Sequence, residues 1–364
     1  MKLLSRYLVR QNLFLVFVIL LVGVGIYVLT DLFELLDRFV EAKLPAKTVL
    51  WYYVIKLPAI VAQLLPAIFL LAMVLQLNML ERSKELIALY SGGISPFVLL
   101  RFIVIYSLVW AVAQLFFAEA LGVTGEREAR RIWQEQVQQT GGGKDTLNHV
   151  WFTDKEHIVY VEQAAPNLGT AQGVRIYTLA PSGDDLEAII SAKTVTLDKK
   201  VWHLHDVSRV TTQTMVSEQL DSLEFPLRQD LKAFLLVESW SKPERLPLWE
   251  LRDVIKRLER AGSNIESLRT VWHSKIAYAG SVIIMGLLAL AIMQHTKSVY
   301  KAVGFSLVAI FFFYSANTIS VTIGKGGSLP PLVAAWLTNG VALLLLAVVF
   351  LWPVLRHVAA SRRA

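Results

Sequence analysis

The sequence predicts an α-helical membrane protein with six transmembrane helices and a β domain inserted between the third and the fourth. Three observations predict it. Six uncharged apolar runs of 17 to 30 residues punctuate the 364-residue chain. A polar stretch of about 150 residues divides them three and three. The charges divide likewise: Ala120–Thr270 holds 19 Lys/Arg and 22 Asp/Glu, and the remainder holds 17 and 7. The overall +7 is therefore −3 on the insert and +10 on the membrane part. A chain that is 55% hydrophobic and 18% charged is too apolar for a soluble domain, which runs at about 45–50% and about 25%. The absence of cysteine removes disulfides, thiolate metal sites and a cysteine nucleophile.

The runs are Gln11–Thr30, Leu57–Leu80, Phe102–Ala118, Ile276–Thr296, Ala302–Gly324 and Gly326–Leu355, the last helix beginning only after Pro330-Pro331. A helix rises about 1.5 Å per residue and needs about 20 residues to cross the hydrocarbon, so each run suits one span. The first run has no small-x-small cleavage site after it; Asp31-Leu32-Phe33-Glu34 follows, and it is expected to stay as an anchor. Lys2, Arg6 and Arg10, then Arg82 and Lys84, then Lys297 and Lys301, then Arg356, Arg362 and Arg363 all fall on one side when six spans alternate. The positive-inside rule places that side, and both termini, in the cytoplasm, and the insert outside. Because the basic excess reports topology, a nucleic-acid partner, which would want a basic soluble face, is not expected.

Within the insert, Gly125–Gln139 is a charged helix continuing span 3, and Gly141–Gly143 is a flexible linker. Ile158–Val161, Val174–Leu179, Ala188–Leu197, Val201–Val210 and Met215–Phe225 are β-rich, with turn residues at Pro166-Asn167 and Pro181-Ser182-Gly183. Such spacing predicts a sandwich or an open jelly roll. Leu248, Leu251, Val254/Ile255 and Leu258 recur at helical spacing across Pro247–Ala261, ahead of a Gly262 stop. That helix is expected against the β domain or the membrane surface. The domain boundaries are accordingly 1–119, 120–270 and 271–364.

Enzyme motifs are missing. Gly143-Lys144-Asp145 lacks the Ser/Thr after Lys and has Gln138 where a phosphate loop needs Gly. There is no His-Glu-x-x-His and no Gly-x-Ser-x-Gly. His203-x-His205 puts two imidazoles on one strand face, and no third metal ligand stands nearby in sequence. No carboxylate interrupts the apolar runs, which argues against an ion-coupled carrier.

The loop between spans 2 and 3 is the most informative piece. Glu81-Arg82-Ser83-Lys84 is followed by Glu85, Leu86, Ile87, Leu89 and Tyr90, then Gly92-Gly93 and Pro96. A helix this short is marginal alone and needs a partner to bury Leu86, Leu89 and Tyr90. Either lipid supplies it, or a cytoplasmic motor does, with Glu85 and the neighbouring Arg82 offering charge to that motor.

This segment resembles the coupling segment of the LptF/LptG permeases: a glutamate, a hydrophobic residue, four variable positions, a small residue, Gly or Cys, and Gly. Arg6-Tyr7-Leu8, Leu57-Pro58 with Leu65-Pro66, Glu250-Leu251-Arg252-Asp253 and Lys275 are similar as well. Val159-Tyr160-Val161-Glu162 and Lys200-Val201-Trp202 are more similar to LptG than to LptF. The resemblance implies a bacterial inner-membrane subunit of the lipopolysaccharide-export ABC transporter with a periplasmic β-jelly roll. Its partners would be a second LptF/LptG-type permease, an LptB ATPase dimer, and the jelly-roll proteins LptC and LptA. No cofactor is expected on this chain, since ATP and magnesium would sit in LptB.

Lipopolysaccharide would enter between spans 1 and 5 of the paired subunits. Those spans supply Phe17 and Phe312 as candidate contacts, among Leu13, Phe14, Leu20, Phe311, Phe313 and Tyr314. Its phosphates would want Arg38, Lys43, Lys47 and Lys56 between spans 1 and 2, with Arg130 and Arg131 beyond span 3. Ala59 stands after Pro58 where some relatives carry Lys, so these cations are redistributed here. The competing class is a mechanical transmitter or sensor, whose outer domain would bind a protein around a closed core.

Overall fold

The computed structural model describes residues 2–138, 147–154, 157–165, 169–179, 186–198, 201–211, 217–225, 243–260, 265–296 and 298–361. The linker 141–143, Lys144-Asp145, Pro166-Asn167, Pro181-Ser182-Gly183, Lys200, Met215, Gly262, Lys297 and Arg362-Arg363 lie outside them. Contacts divide the chain into a helical unit (Met1–Trp133 with Pro243–Ala364) and a second unit, Gln134–Lys242. The charged helix after span 3 and the amphipathic helix before span 4 therefore pack with the helical unit, although the sequence groups them with the insert.

The helical unit comprises α1 (Lys2–Glu41), α2 (Ala46–Arg82), α3 (Glu85–Ser91), α4 (Pro96–Phe116), α5 (Val123–Ile132), α6 (Leu248–Arg260), α7 (Glu266–His295), α8 (Val299–Lys325) and α9 (Pro331–Ser361). A π-helical segment, Phe117–Gly122, carries α4 into α5 without a break. Six of these helical stretches are long and apolar enough to cross a bilayer. Each outruns its apolar run because flanking polar residues still favour helix: α1 runs 40 residues around a 20-residue apolar stretch. The ends carry the expected stops and starts. The Ser95 hydroxyl accepts from Phe97 N at 3.3 Å with Pro96 in the first turn of α4, and α9 opens at Pro331.

The core forms where α2, α4 and α7 meet, around Leu65, Phe69, Met73, Ile103, Met285 and Ala289. In the apolar window of α2, 67% of residues are buried, and in that of α1 only 6%. With α8 and α9, α1 thus turns most of its large apolar side chains outward. Helices apolar all round suit lipid or another membrane chain as neighbour. Inside the bundle, polar side chains replace the missing hydrophobic drive between spans. Asn12 Nδ2 donates to Gln76 Oε1 (2.9 Å), and Gln76 Nε2 to the Leu8 carbonyl (2.7 Å), joining α1 to α2. Asn339 Nδ2 donates to the Ala277 carbonyl (2.7 Å), joining α9 to α7.

The second unit contains β1 (Leu147–Asp154), β2 (His157–Ala165), β3 (Thr170–Leu179), β4 (Leu186–Asp198), β5 (Val201–Thr211) and β6 (Ser217–Phe225), paired antiparallel in sequence order. Five of the six match the β-rich runs. β1 was hidden by its polar start, though Val150-Trp151-Phe152 carries the β signal. One face is buried by Val159, Val161, Val174, Ile176, Ile190, Ala192, Trp202, Leu204 and Val207.

This face changes parity at one row. Val161, Val174, Ala192, Val207 and Leu220 point inward on one side of it, and Ala164, Ala171, Val195, Leu204 and Leu223 on the other. Between them Glu162, Gly173, Lys193, Asp206 and Asp221 stand opposite one another without ladder pairing, while the register continues unchanged. Gly173 (φ 63°) and Asp206 (φ 52°) supply the left-handed backbone that such a row requires. A sheet kinked in every strand at one row coils. Accordingly the His157 ring in β2 meets the Phe225 ring in β6 at 5.0 Å. In a flat sheet, four strand spacings alone would part them by about 19 Å. The result is an open roll.

Candidate functional site

α3 lies between the ends of α2 and α4. Glu81 and Arg82 belong to the last turn of α2, so of the charged stretch Glu81–Glu85 only Glu85 is part of α3. The chain then turns through Ser83 and Lys84, whose φ of 59° is a left-handed strain for a side-chain residue. The Ser83 hydroxyl donates to Glu85 Oε1 at 2.8 Å, and Tyr7 of α1 approaches the same carboxylate. At the other end Gly93, with φ 83°, lets Gly93 N reach the Tyr90 carbonyl and Ile94 N the Leu89 carbonyl. A helix of two turns is thereby held at both ends.

The structure corrects the reading of its apolar residues. Leu86 does not await a partner; it is buried against Leu8, Leu80, Leu4 and Met293 of the same chain. Leu89 is half-buried, Tyr90 is 41% exposed, and Ile87, which the sequence reading passed over, is 60% exposed. Two turns are too few for periodicity to say which of Leu86 and Ile87 faces inward. What α3 presents outward is Ile87 and Tyr90, beside exposed Arg82. Burial of part of Tyr90 raises its phenol above the ordinary value, so it stays a neutral donor.

The candidate phosphate ligands are not gathered into one pocket. Lys56 Nζ is 3.1 Å from Asp31 Oδ2 and lies 5.2 Å over the Tyr52 ring, so its charge is already answered. Arg38 stacks over Trp133 at 5.8 Å, against the Phe39–Tyr52–Tyr53 aromatic cluster. Arg130 faces Glu126 (4.0 Å) and Arg131 faces Glu128 (2.5 Å). Lys43, in a left-handed turn, and Lys47 are exposed. Phe17 and Phe312 are 62% and 65% exposed on the outer faces of α1 and α8.

The sequence reading missed a junction at one end of the bundle. Glu119, in the π-helical segment, is only 5% exposed. Its Oε1 takes Lys275 Nζ of α7 at 2.8 Å, and its Oε2 takes the backbone N–H of Leu248, first residue of α6, at 2.7 Å. Arg127 to Glu250 and Arg269 to Glu259 (2.6 Å) fasten α6 further. Lys325, at the end of α8, bonds Glu244 just ahead of α6. Burial alone would raise Glu244; the Lys325 hydrogen bond and charge outweigh it and hold the carboxyl below its ordinary value. A depressed carboxyl stabilises the fold above its unfolded pKa and loses that contribution as pH falls through the folded value. Exposure and salt keep this small. Glu244→Gln should therefore lower the melting temperature slightly at neutral pH in low salt and leave it unchanged in acid, which narrows the acid-side fall.

In the second unit, a cavity of about 360 Å³ opens beside the His157–Phe225 contact, lined by Thr178, Ile190, Arg209 and Leu223 as well. Its lining is mixed, with Glu187 and Ala188 completing it. On the outer face His203 pairs with Glu224 (3.4 Å) and His205 approaches Thr196 (3.4 Å).

These features, six long apolar helices, a short helix between the second and third of them, and an open roll, can be set beside known proteins. Residues 6–352 match the family described as lipopolysaccharide export system permease LptF/LptG. No curated protein matches the chain. The family match begins near the start of α1, ends inside α9 and takes in both units, so the expected order of spans, β domain and spans holds along the whole molecule. Members of this family are permease subunits, not enzymes. The chain belongs to the LptF/LptG family of lipopolysaccharide-export permeases, as a multi-pass membrane protein.

Proposed function

We propose that this chain couples ATP hydrolysis in a partner to the movement of lipopolysaccharide. In this reading α3 docks in an LptB ATPase dimer on the cytoplasmic side, where both termini also lie. The outward apolar faces of α1 and α8 meet a second LptF/LptG-type subunit and admit the lipid between them. The β unit, in the periplasm, receives the acyl chains in its open roll and hands them to jelly rolls of LptC and LptA through an unpaired strand edge. ATP and magnesium stay with LptB.

The observation that carries the reading is α3: a helix closed at its C-terminal end by the Gly93 turn, tied at its start by the Ser83–Glu85 bond, anchored inward by Leu86, and showing Ile87 and Tyr90 to solvent beside Glu85. A resident interfacial helix has no need of such a rigid mount. Glu85→Ala and Ile87→Asp should each reduce recovery of LptB with the permease by about tenfold, the factor that about 1.4 kcal/mol represents, and lower lipopolysaccharide export in parallel. Melting of the permease alone should be unchanged for Ile87→Asp. Normal LptB recovery and normal export in both variants would remove the docking role from α3.

A further inference from the structure

α6 is amphipathic, and its apolar face is already used. Leu251 is fully buried and Ile255 is 9% exposed in the helical unit. The opposite face carries Trp249, Arg252, Asp253, Lys256 and Arg257, spaced i, i+3, i+4, i+7 and i+8 and all exposed. The neighbouring cations that α6 meets, Arg127, Arg269 and Lys275, are each paired with a carboxylate. Among the described residues, Arg252, Lys256 and Arg257 take part in no ion pair.

The height of this face can be read from the helices that hold it. Glu119 and Lys275 are the first charges beyond the apolar runs of α4 and α7, and they touch, so they mark the hydrocarbon boundary. The first N–H of α6 bonds Glu119, which places Trp249 at that boundary. At the far end Glu259 bonds Arg269, six residues before Lys275 on α7 and hence about 9 Å further out. α6 thus climbs about 9 Å over about 16 Å of its length. The headgroup layer is about 5–8 Å thick on each side of the hydrocarbon. Trp249 and the three cations therefore run obliquely through the zone of lipid phosphates, with the tryptophan at the level such rings favour.

We propose that the outer face of α6 is a docking surface for the phosphate headgroups of anionic phospholipid in the adjoining leaflet. Charge complementarity picks the occupant: three unanswered cations against one carboxylate, at phosphate height, beside an interfacial tryptophan. The surface is distinct from α3 and from the Arg38–Lys56 group. Its role is to hold the return segment from the β unit against the membrane.

The lack of native cysteine allows a clean test. The full chain carrying Asp253→Cys with a nitroxide label is placed in nanodiscs of phosphatidylcholine alone or with 30 mol% phosphatidylglycerol, a composition chosen for this test. The expected result is a label that slows and becomes less accessible to a water-soluble relaxant when phosphatidylglycerol is present. Arg252→Gln/Lys256→Gln/Arg257→Gln should abolish that shift, and Arg252→Lys/Arg257→Lys should keep it. These side chains are exposed, so the variants should melt as the parent does. A shift unchanged in the triple variant overturns the proposal. So does a label that responds only to lipopolysaccharide, which would make the face part of the substrate path, or only to a second permease subunit, which would make it a protein interface.

Discussion

Lys275→Ala should destabilise the helical unit by about 3–5 kcal/mol, the range seen when one partner of a buried ion pair is removed. Glu119 is nearly inaccessible, and the Lys275 and Glu119 side chains are 15% and 7% exposed. Without the ammonium, the buried carboxylate keeps a single hydrogen-bond partner, the Leu248 N–H. The damage should reach beyond α7, because the same carboxylate caps the first turn of α6. Glu119→Gln/Lys275→Met separates the charge effect from the cap. The amide introduced by Glu119→Gln still offers an oxygen to Leu248 N, and neither buried charge is left alone. The double variant should recover most of the loss, since a buried pair itself contributes little net stability. Thermal unfolding of the detergent-solubilised parent, Glu119→Gln, Lys275→Met and the double variant supplies all four corners of the cycle, with a coupling well above 1 kcal/mol expected. A Lys275→Ala chain as stable as the parent, or a double variant as unstable as the single, would contradict the assignment.

The spans were legible because length in an apolar run converts directly into bilayer thickness. The insert was legible as β from its short Val/Ile/Thr runs. Glu119 and Lys275 could not be paired from sequence. They stand 156 positions apart, and a charge at the end of an apolar run ordinarily reads as a boundary marker. A carboxylate aimed inward there depends on the π-helical offset of Phe117–Gly122, for which no residue pattern in the run gives notice. The kinked row of the sheet is a different case. Val159-x-Val161-x-x-Ala164 and Trp202-x-Leu204-x-x-Val207 each look like alternation that fails. Only the register shows that the failures align and that they coil the sheet. Within α3, charge and glycine placement gave the element, but two turns hold too few residues to fix its inward face. The candidate phosphate ligands were chosen by sign and side of the membrane, which says nothing of Asp31 standing against Lys56.

Gly125→Ala should be the most damaging single-methyl change in the bundle. A Cβ built on Gly125 would lie 2.0 Å from the Ile55 carbonyl oxygen and 3.2 Å from its carbon. The obstacle is backbone within α2, so no rotamer relieves it. One turn earlier, a Cβ on Gly122 would stand 3.3 Å from Ala59 Cα, so the two glycines make one seam where helix backbones touch. To admit a methyl, α5 must retreat from α2 by more than about 1 Å, given the usual carbon–oxygen approach of about 3.3 Å. That retreat would loosen what the seam supports: buried Ala129 and Ile132, and the Trp133 ring at 5.8 Å from Phe39 and 6.4 Å from Tyr52. Overpacking ordinarily costs about 1–3 kcal/mol, and an obstacle of backbone puts Gly125→Ala at the upper end, with Gly125→Val beyond it. Gly304 gives the control, since a Cβ there meets nothing within 4 Å. Relieved of glycine's backbone entropy, Gly304→Ala should hold or gain up to about 1 kcal/mol in the interior of α8. Melting temperatures of the two variants in one detergent decide the matter: equal values would mean that α5 is not seated on α2 through this seam.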